Sequence, residues 1–315
     1  MTDPTVDAPR FAVSWGGASD RGLRRDHNED AFLTAPPVFL VADGMGGHQR
    51  GDAASRAVVD AFEELVNDPW LTSERLHDAV VAATEAVRQI AVEGKGAPGT
   101  TLAGVGIAVQ EGRPCWLVFN VGDSRAYRLS RGTLEQVSVD HSEVQELVET
   151  GALDATEARI HSHRNVITRA IGAGLRGEPE IDQWLLLAAA GDRMLICTDG
   201  LTTELTDQLL AATLLTIADP KQAARDLVDA AVAAGGRDNV TAVVVDAVSV
   251  VSTGHGAQGA ADEGDTLVEG LTLASDDGDT VPTIEDSLAI DIPGPRSTVT
   301  ESPNVSAADA QEGTL

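Results

Sequence analysis

Three apolar runs in this chain stop at an aspartate: "VFLVADG" at Asp43, "WLVFNVGDS" at Asp123 and "MLICTDG" at Asp199. Runs of this kind, β-branched or continuously apolar and bounded by Gly, Asp and Asn, read as strands. The same pattern predicts strands at 11–19, 31–34, 38–41, 102–109, 116–121, 126–130, 134–138, 184–189, 194–197 and 242–250. Three stretches carry the stripe of an amphipathic helix instead. One is 52–66, with Ala54, Ala57, Val58, Ala61 and Leu65; a second is 73–92, with Leu76, Val80, Ala83, Val87 and Ile90. The third opens with Asp219 as N-cap, Pro220 in the first turn and Gln222 at the capping-box position, and closes on Gly235-Gly236. Short strands joined by short turns favour antiparallel sheets, and helices apolar on one side must cover them. The expected fold class is therefore α+β, a layered sandwich.

Two further acidic sites come just before a strand: Glu29-Asp30 ahead of "AFLT", and Asp238 ahead of "VTAVVV". In an antiparallel sheet the end of one strand lies beside the start of its neighbour, so both groups can deliver acids to one edge. Four or five carboxylates in one cleft repel, and cannot all stay ionised without a positive charge among them. A divalent cation is the simplest remedy. The ligand set is hard oxygen, without cysteine or a paired histidine motif, which suits Mg²⁺ or Mn²⁺ over zinc. Two ions bridged by Asp43, ~3.5–4 Å apart as in binuclear hydrolytic sites, would use the surplus of acids. An Asp-Gly after a strand is by itself only a turn; here Gly44 would let its carbonyl face an ion, and Gly46-Gly47 would clear room for a bulky group. In "RGLRRDHNED", Arg25 lies four residues before Glu29. Its planar fork suits a phosphate dianion, while a surface pairing with Asp26 or Glu29 suits Arg24.

The formal charge of -28 over 315 residues argues against nucleic acid or an anionic membrane as partner. Cys115 and Cys197 lie in apolar strand-like runs and read as small buried hydrophobes, which makes the cytoplasm the expected compartment. The acidic start "MTDPTVDAPR" lacks the apolar core of a secretory signal, and no apolar run approaches the ~18 residues of a membrane span. Beyond Ser249 the chain turns to Gly, Ser, Thr, Pro and acids, with Arg296 the single base. The expected organisation is an N-terminal extension over 1–10, a catalytic domain over 11–249 and a disordered acidic tail over 250–315. Thr266, Thr280 and Thr283 in that tail are candidate phosphate acceptors, and a purely solubilising tail is the alternative.

With these residues in view, the chain resembles the metal-dependent protein Ser/Thr phosphatases of the protein phosphatase 2C type (PPM family), bacterial branch. The resemblance runs through "SDRGLRRDHNEDAF", "VADGMGGH", "GTTLAGV", "NVGDSRAYRL", "DHSEVQELVETGAL", "HSHRNVITRAIG", "LICTDGLT" and "RDNVTAVVV", in the family's order over about residues 14–246. It implies a four-layer αββα sandwich with a metal site at one edge between the sheets. It also implies Asp43 on both core ions, Asp199 and Asp238 on the first, and the Gly44 carbonyl on the second. Glu29 and Asp30 would hold metal-bound waters, and Asp123 with Asp199 would serve a third, weaker site. Arg25 would bind phosphate while a metal-bridging water attacks phosphorus in line. Met45 stands where eukaryotic relatives place a histidine; His48, slightly later, either protonates the leaving alkoxide or fixes the glycine loop. The segment 140–172 resembles the family's flap, where His161, His163 and Arg164 either touch substrate or only pack. Expected partners are phosphoproteins and the Ser/Thr kinases that the enzyme would oppose, with the chain a monomer. A phosphoprotein-binding module that has lost catalysis, and a partner-switching regulator acting on an anti-anti-sigma protein, are the competing readings.

Overall fold

The computed structural model describes residues 8–46, 50–90, 97–154, 157–158, 161–163, 166–175 and 177–253. Its strands are β1 (Arg10–Asp20), β2 (Asp30–Ala35), β3 (Val38–Met45), β4 (Gly99–Thr100), β5 (Leu102–Gln110), β6 (Arg113–Val121), β7 (Arg125–Ser130), β8 (Thr133–Gln136), β9 (Ile171–Gly172), β10 (Asp182–Leu187), β11 (Arg193–Cys197) and β12 (Val240–Val251). The helices are α1 (Gly51–Glu63), α2 (Ser73–Ile90), α3 (Glu143–Glu149), α4 (Asp199–Glu204), α5 (Asp207–Thr216) and α6 (Pro220–Ala234). One sheet has the order β1-β12-β11-β7-β8; the other runs β10-β6-β5-β3-β4-β9, with β2 also paired to β3. Every pairing is antiparallel.

The continuously apolar runs are explained by burial on both faces of each sheet. Successive side chains of a strand point to opposite faces. In β3, Val38, Leu40 and Ala42 join Val58 and Phe62 of α1 and Leu76, Val80 and Val87 of α2 in one core. The alternate residues Phe39 and Val41 pack instead against the facing sheet, with Met194 and Ile196 of β11 and Val243 and Val245 of β12. On the far side, Leu195 and Cys197 of β11 and Val240, Ala242 and Val244 of β12 meet Leu201 of α4, Leu210 of α5 and Leu227 of α6. Three apolar interfaces make four layers, helices–sheet–sheet–helices. Each fully buried Val, Leu or Ile contributes roughly 1.5–3 kcal/mol by leaving water.

All ten expected strands form, and the layered α+β class holds. The strand expected at 184–189 is β10, two residues earlier, because Asp182 and Gln183 pair with Asn120 and Phe119 of β6. Their polarity hid them from a pattern built on apolar residues. The first helix ends at Glu63 rather than 66. Asp219 caps α6 through the Lys221 amide, but Gln222 donates to Asp226 at 2.6 Å, so only half of the expected capping box is made. Helices α3, α4 and α5 and the two-residue strands β4 and β9 were not expected: most are too short to show a period, and α5 sets Leu210 and Leu214 inward but Leu209 and Leu215 outward, so it has no apolar stripe.

Candidate metal centre

The strand-end acids meet through register. Asp30, at the start of β2, is the direct partner of Asp43, near the end of β3. In the other sheet, the last residue of β11, Cys197, pairs with Ala242 of β12 and Arg125 of β7. That places Asp199, opening α4, next to Asp238 ahead of β12 and Asp123 ahead of β7. Residues 122–124 carry the chain from the β6 sheet to the β7 sheet, so acids from both sheets share one edge.

Their ionisation reports that closeness. Burial raises Asp43 well above the carboxylate range, and Asp30, Asp199, Asp123 and Asp238 push it further. Asp123 is pushed up to about 8 by burial, then by Asp199 and Asp140. Burial lifts Asp30 to about 7 against hydrogen bonds from Thr241 and Thr198, with Asp199 and Asp238 adding to the rise. Burial and Asp238 lift Asp199 to about 6, opposed by a hydrogen bond shared with Asp43 and by the Arg25 and Arg125 cations. Such a cluster binds protons at neutral pH unless another positive charge takes their place.

A polar scaffold holds the acids. The Asp43 amide donates to Thr101 Oγ1 at 3.0 Å, while its carbonyl accepts from the Thr101 amide and from Thr100 Oγ1, both at 2.9 Å. Asp30 Oδ2 accepts from Thr241 Oγ1 at 2.6 Å and Thr198 Oγ1 at 2.9 Å. Asn239 clamps the arginine-bearing loop: its Oδ1 accepts from the Glu29 amide, and its Nδ2 donates to the Arg21 and His27 carbonyls, each at 2.9 Å. The Glu29 carbonyl accepts from the Gly44 amide at 3.2 Å and Ser55 Oγ at 2.6 Å. None of these hydroxyls and amides was singled out from the sequence. The available clue was adjacency, since Thr198 precedes Asp199, Asn239 follows Asp238, and Thr100-Thr101 opens an apolar strand.

Gly44 has a steric reason as well. A Cβ there would lie 2.1 Å from the Gly51 carbonyl oxygen and 2.6 Å from that of Glu29, so only glycine lets these three backbone segments meet.

Arg25 does come to this edge. Its Nη2 donates to Asp238 Oδ2 at 2.6 Å, with the arginine side chain 49% exposed. Burial lowers its pKa, but Asp238, Asp43 and Glu29 outweigh that and raise it above the ordinary value. Neither Asp26 nor Glu29 is its hydrogen-bonding partner; the acid it bonds is one the sequence assigned to metal.

Among the described residues, no three His, Cys, Asp or Glu side chains already converge closely enough to hold a metal ion. Asp238 is turned to Arg25 and Asp30 to the two threonines. The donors nevertheless fit a hard divalent cation. Every acid is an oxygen ligand, and Asp30 Oδ1 and Asp199 Oδ1 are buried without a hydrogen-bond partner.

Gly47, His48 and Arg164 lie outside the described residues. His163 Nδ1 pairs with Glu143 Oε1 at 2.9 Å, and its ring meets that of His161 edge-on at 5.5 Å. Cys115 and Cys197 are buried free thiols, and Trp116 is core, while Trp184 packs against the core only partly buried.

Comparison with known proteins agrees with this geometry. The family model for protein phosphatase 2C matches residues 22–231. The serine/threonine protein phosphatase PstP of Mycobacterium tuberculosis is 37% identical over 242 residues, 76% of this chain. This chain spans only 46% of that relative's length. A Listeria welshimeri serine/threonine phosphatase, stp, is 33% identical over 72% of this chain and 93% of its own. The crystal structure of the PstP catalytic domain in complex with two manganese ions superposes with a TM-score of 0.68 at 34% identity, covering 76% of this chain and all of that one. A double antiparallel sheet between helices thus belongs to a class of bacterial phosphatases. The chain is a member of the protein phosphatase 2C family.

Proposed function

We propose that the chain is a metal-dependent protein phosphatase that hydrolyses phosphoserine and phosphothreonine on proteins. The carrying observation is the carboxylate cluster at the sheet edge, in which Asp30, Asp43, Asp123 and Asp199 are raised above the carboxylate range by desolvation and by neighbouring acids. Family membership and the manganese-bound relative support the same reading.

Asp43, the Gly44 carbonyl, Asp199 and Asp238 would hold two core Mn²⁺ or Mg²⁺ ions, with Glu29 and Asp30 reaching them through water and Asp123 serving a weaker third site. Bound there, divalent cations supply Lewis acidity and an acidified water as nucleophile. Arg25 receives the phosphate, exchanging its contact with Asp238 for a forked contact with phosphate oxygens. The release of Asp238 frees a carboxylate for the cluster in the same movement. Thr198 and Thr241 keep Asp30 aimed inward, and Thr101 keeps Asp43 from following its repulsion outward. His48, five residues after Asp43, either protonates the leaving alkoxide or fixes the glycine-rich segment.

The physiological reading is a monomeric catalytic domain over 11–249 with an acidic tail, acting in the cytoplasm against Ser/Thr kinases. The cytoplasmic part of this reading is supported by the two buried free thiols. The test is turnover of a phosphothreonine peptide by the purified chain. Activity is expected with Mn²⁺ and is expected to vanish in excess EDTA; undiminished turnover in EDTA would overturn the mechanism, and tight phosphopeptide binding without turnover would favour a binding module.

A further inference from the structure

Asp123 sits on the crossing between the sheets, and what aims it is a histidine far along the chain. Gly122, just before it, has φ +111, and a Cβ there would lie 2.7 Å from Thr101 Cγ2. With no side chain of its own, Gly122 must be held through its backbone. His141 does this twice. The Gly122 amide donates to His141 Nδ1 at 3.0 Å, and the His141 amide donates back to the Gly122 carbonyl at 2.8 Å. Asn120 Nδ2 adds a second donor to that carbonyl at 3.0 Å.

An amide can only donate, so Nδ1 must carry a bare lone pair, and the proton of the neutral ring sits on Nε2. Nε2 lies 3.0 Å from Asp182 Oδ2, which accepts that proton. Arg169 Nη1 donates to Asp182 Oδ1 at 2.9 Å and lies 3.3 Å from Nε2; two donors face one carboxylate, which fixes its rotation. The ring is 6% exposed, so solvent cannot substitute for either partner. The His141 carbonyl accepts from the Thr168 amide at 2.9 Å, tying the same residue to the segment that bears Arg169.

We infer that His141 is a positioning residue: its bare Nδ1, held in that tautomer by Asp182 and Arg169, fixes the Gly122 amide and so the aim of the Asp123 carboxylate into the acid cluster. Asp182 acts at one remove, as a carboxylate behind an imidazole does when it sets the tautomer. The kinetic consequence rests on the phosphatase reading; the tautomer and the Gly122 contact do not.

The experiment uses the full chain and three variants. His141→Asn keeps an acceptor where Nδ1 stands, His141→Gln loses it while still reaching Asp182, and Asp182→Asn leaves one acceptor for two donors, so that with its oxygen on Arg169 it turns an N–H toward Nε2 and favours the opposite tautomer. Long-range ¹H–¹⁵N spectra of the unsubstituted chain are expected to show Nδ1 unprotonated. Hydrogen exchange at the Gly122 amide is expected to quicken roughly tenfold in His141→Gln and Asp182→Asn, and to stay near the parent value in His141→Asn. Mn²⁺ affinity by calorimetry, and kcat on a phosphothreonine peptide, should fall about tenfold in the same two variants, with KM moving less than about twofold. A proton on Nδ1 in the parent chain, or His141→Gln indistinguishable from it, would overturn the inference. If the parent chain binds Mn²⁺ but turns over no phosphopeptide, the phosphatase reading falls, and the spectra, exchange and calorimetry still decide the role of His141.

Discussion

Asp43 is the residue on which stability and chemistry disagree. Its carboxyl lies among four others that all raise its pKa, so in the metal-free chain its ionisation is opposed by its neighbours, while Thr100 and Thr101 hold its backbone. Asp43→Asn keeps the shape and removes the charge. The expected result is a loss of kcat of roughly a hundredfold or more with Mn²⁺ present. In EDTA the same variant is expected to melt a few degrees higher than the parent, since ~1 kcal/mol corresponds to about 2–4 °C in a domain of this size. Activity assays paired with calorimetric melting check both signs at once. A variant that melts lower in EDTA would mean that Asp43 is not under the repulsion its neighbours imply.

At the scale of elements, the loop between β1 and β2 carries Arg25 and Glu29, and its attachment comes from the other end of the chain. Asn239, at the start of β12, makes three hydrogen bonds to that loop. Asn239 is 3% exposed and its three hydrogen bonds are part-buried, so truncation removes three bonds that solvent replaces only in part, each worth ~1 kcal/mol. Asn239→Ala is therefore expected to lower the unfolding free energy by about 2–4 kcal/mol in urea titrations. Asn239→Asp keeps the acceptor for the Glu29 amide but loses both donors and adds a charge beside Asp238, and should lose no less. A change below ~0.5 kcal/mol in Asn239→Ala would show that the loop is held elsewhere.

For the whole molecule, the raised acids set a pH dependence opposite to that of ordinary paired carboxylates. Asp30, Asp199 and Asp123 have folded values of about 7, about 6 and about 8, against 3.8 when free. The folded chain thus binds more protons than the unfolded one between these limits, so stability falls as pH rises through them. That contribution is full below about pH 4 and is gone by about pH 8. In EDTA the melting temperature is expected to decline from pH 5 to pH 8. Mn²⁺ should raise it, by more at pH 8 than at pH 6, because the ligands must be deprotonated to bind. A flat EDTA profile, measured by differential scanning calorimetry, would contradict the buried cluster.

Much of this was legible in the chain itself. Strand positions follow from apolar runs, because both faces of each sheet are buried and burial requires continuity rather than alternation. The acids at strand ends were also legible, since antiparallel pairing leaves their meeting at one edge almost without choice: Asp30 does face Asp43, and Asp199 does follow the strand beside β12. What tertiary structure alone decided is how those acids are held. Asp238 is turned to Arg25, Asp30 rests on Thr198 at the head of α4 and Thr241 of β12, and the Asp123 loop hangs on His141 and Asp182. Apolar patterning is a local record of burial, repeated every residue or two along a strand. A hydrogen bond across 168 or 211 positions, as between Asp30 and Thr198 or Thr241, leaves no such period. Only packing, which brings distant hydroxyls, amides and carboxylates within 3 Å, selects the pairs.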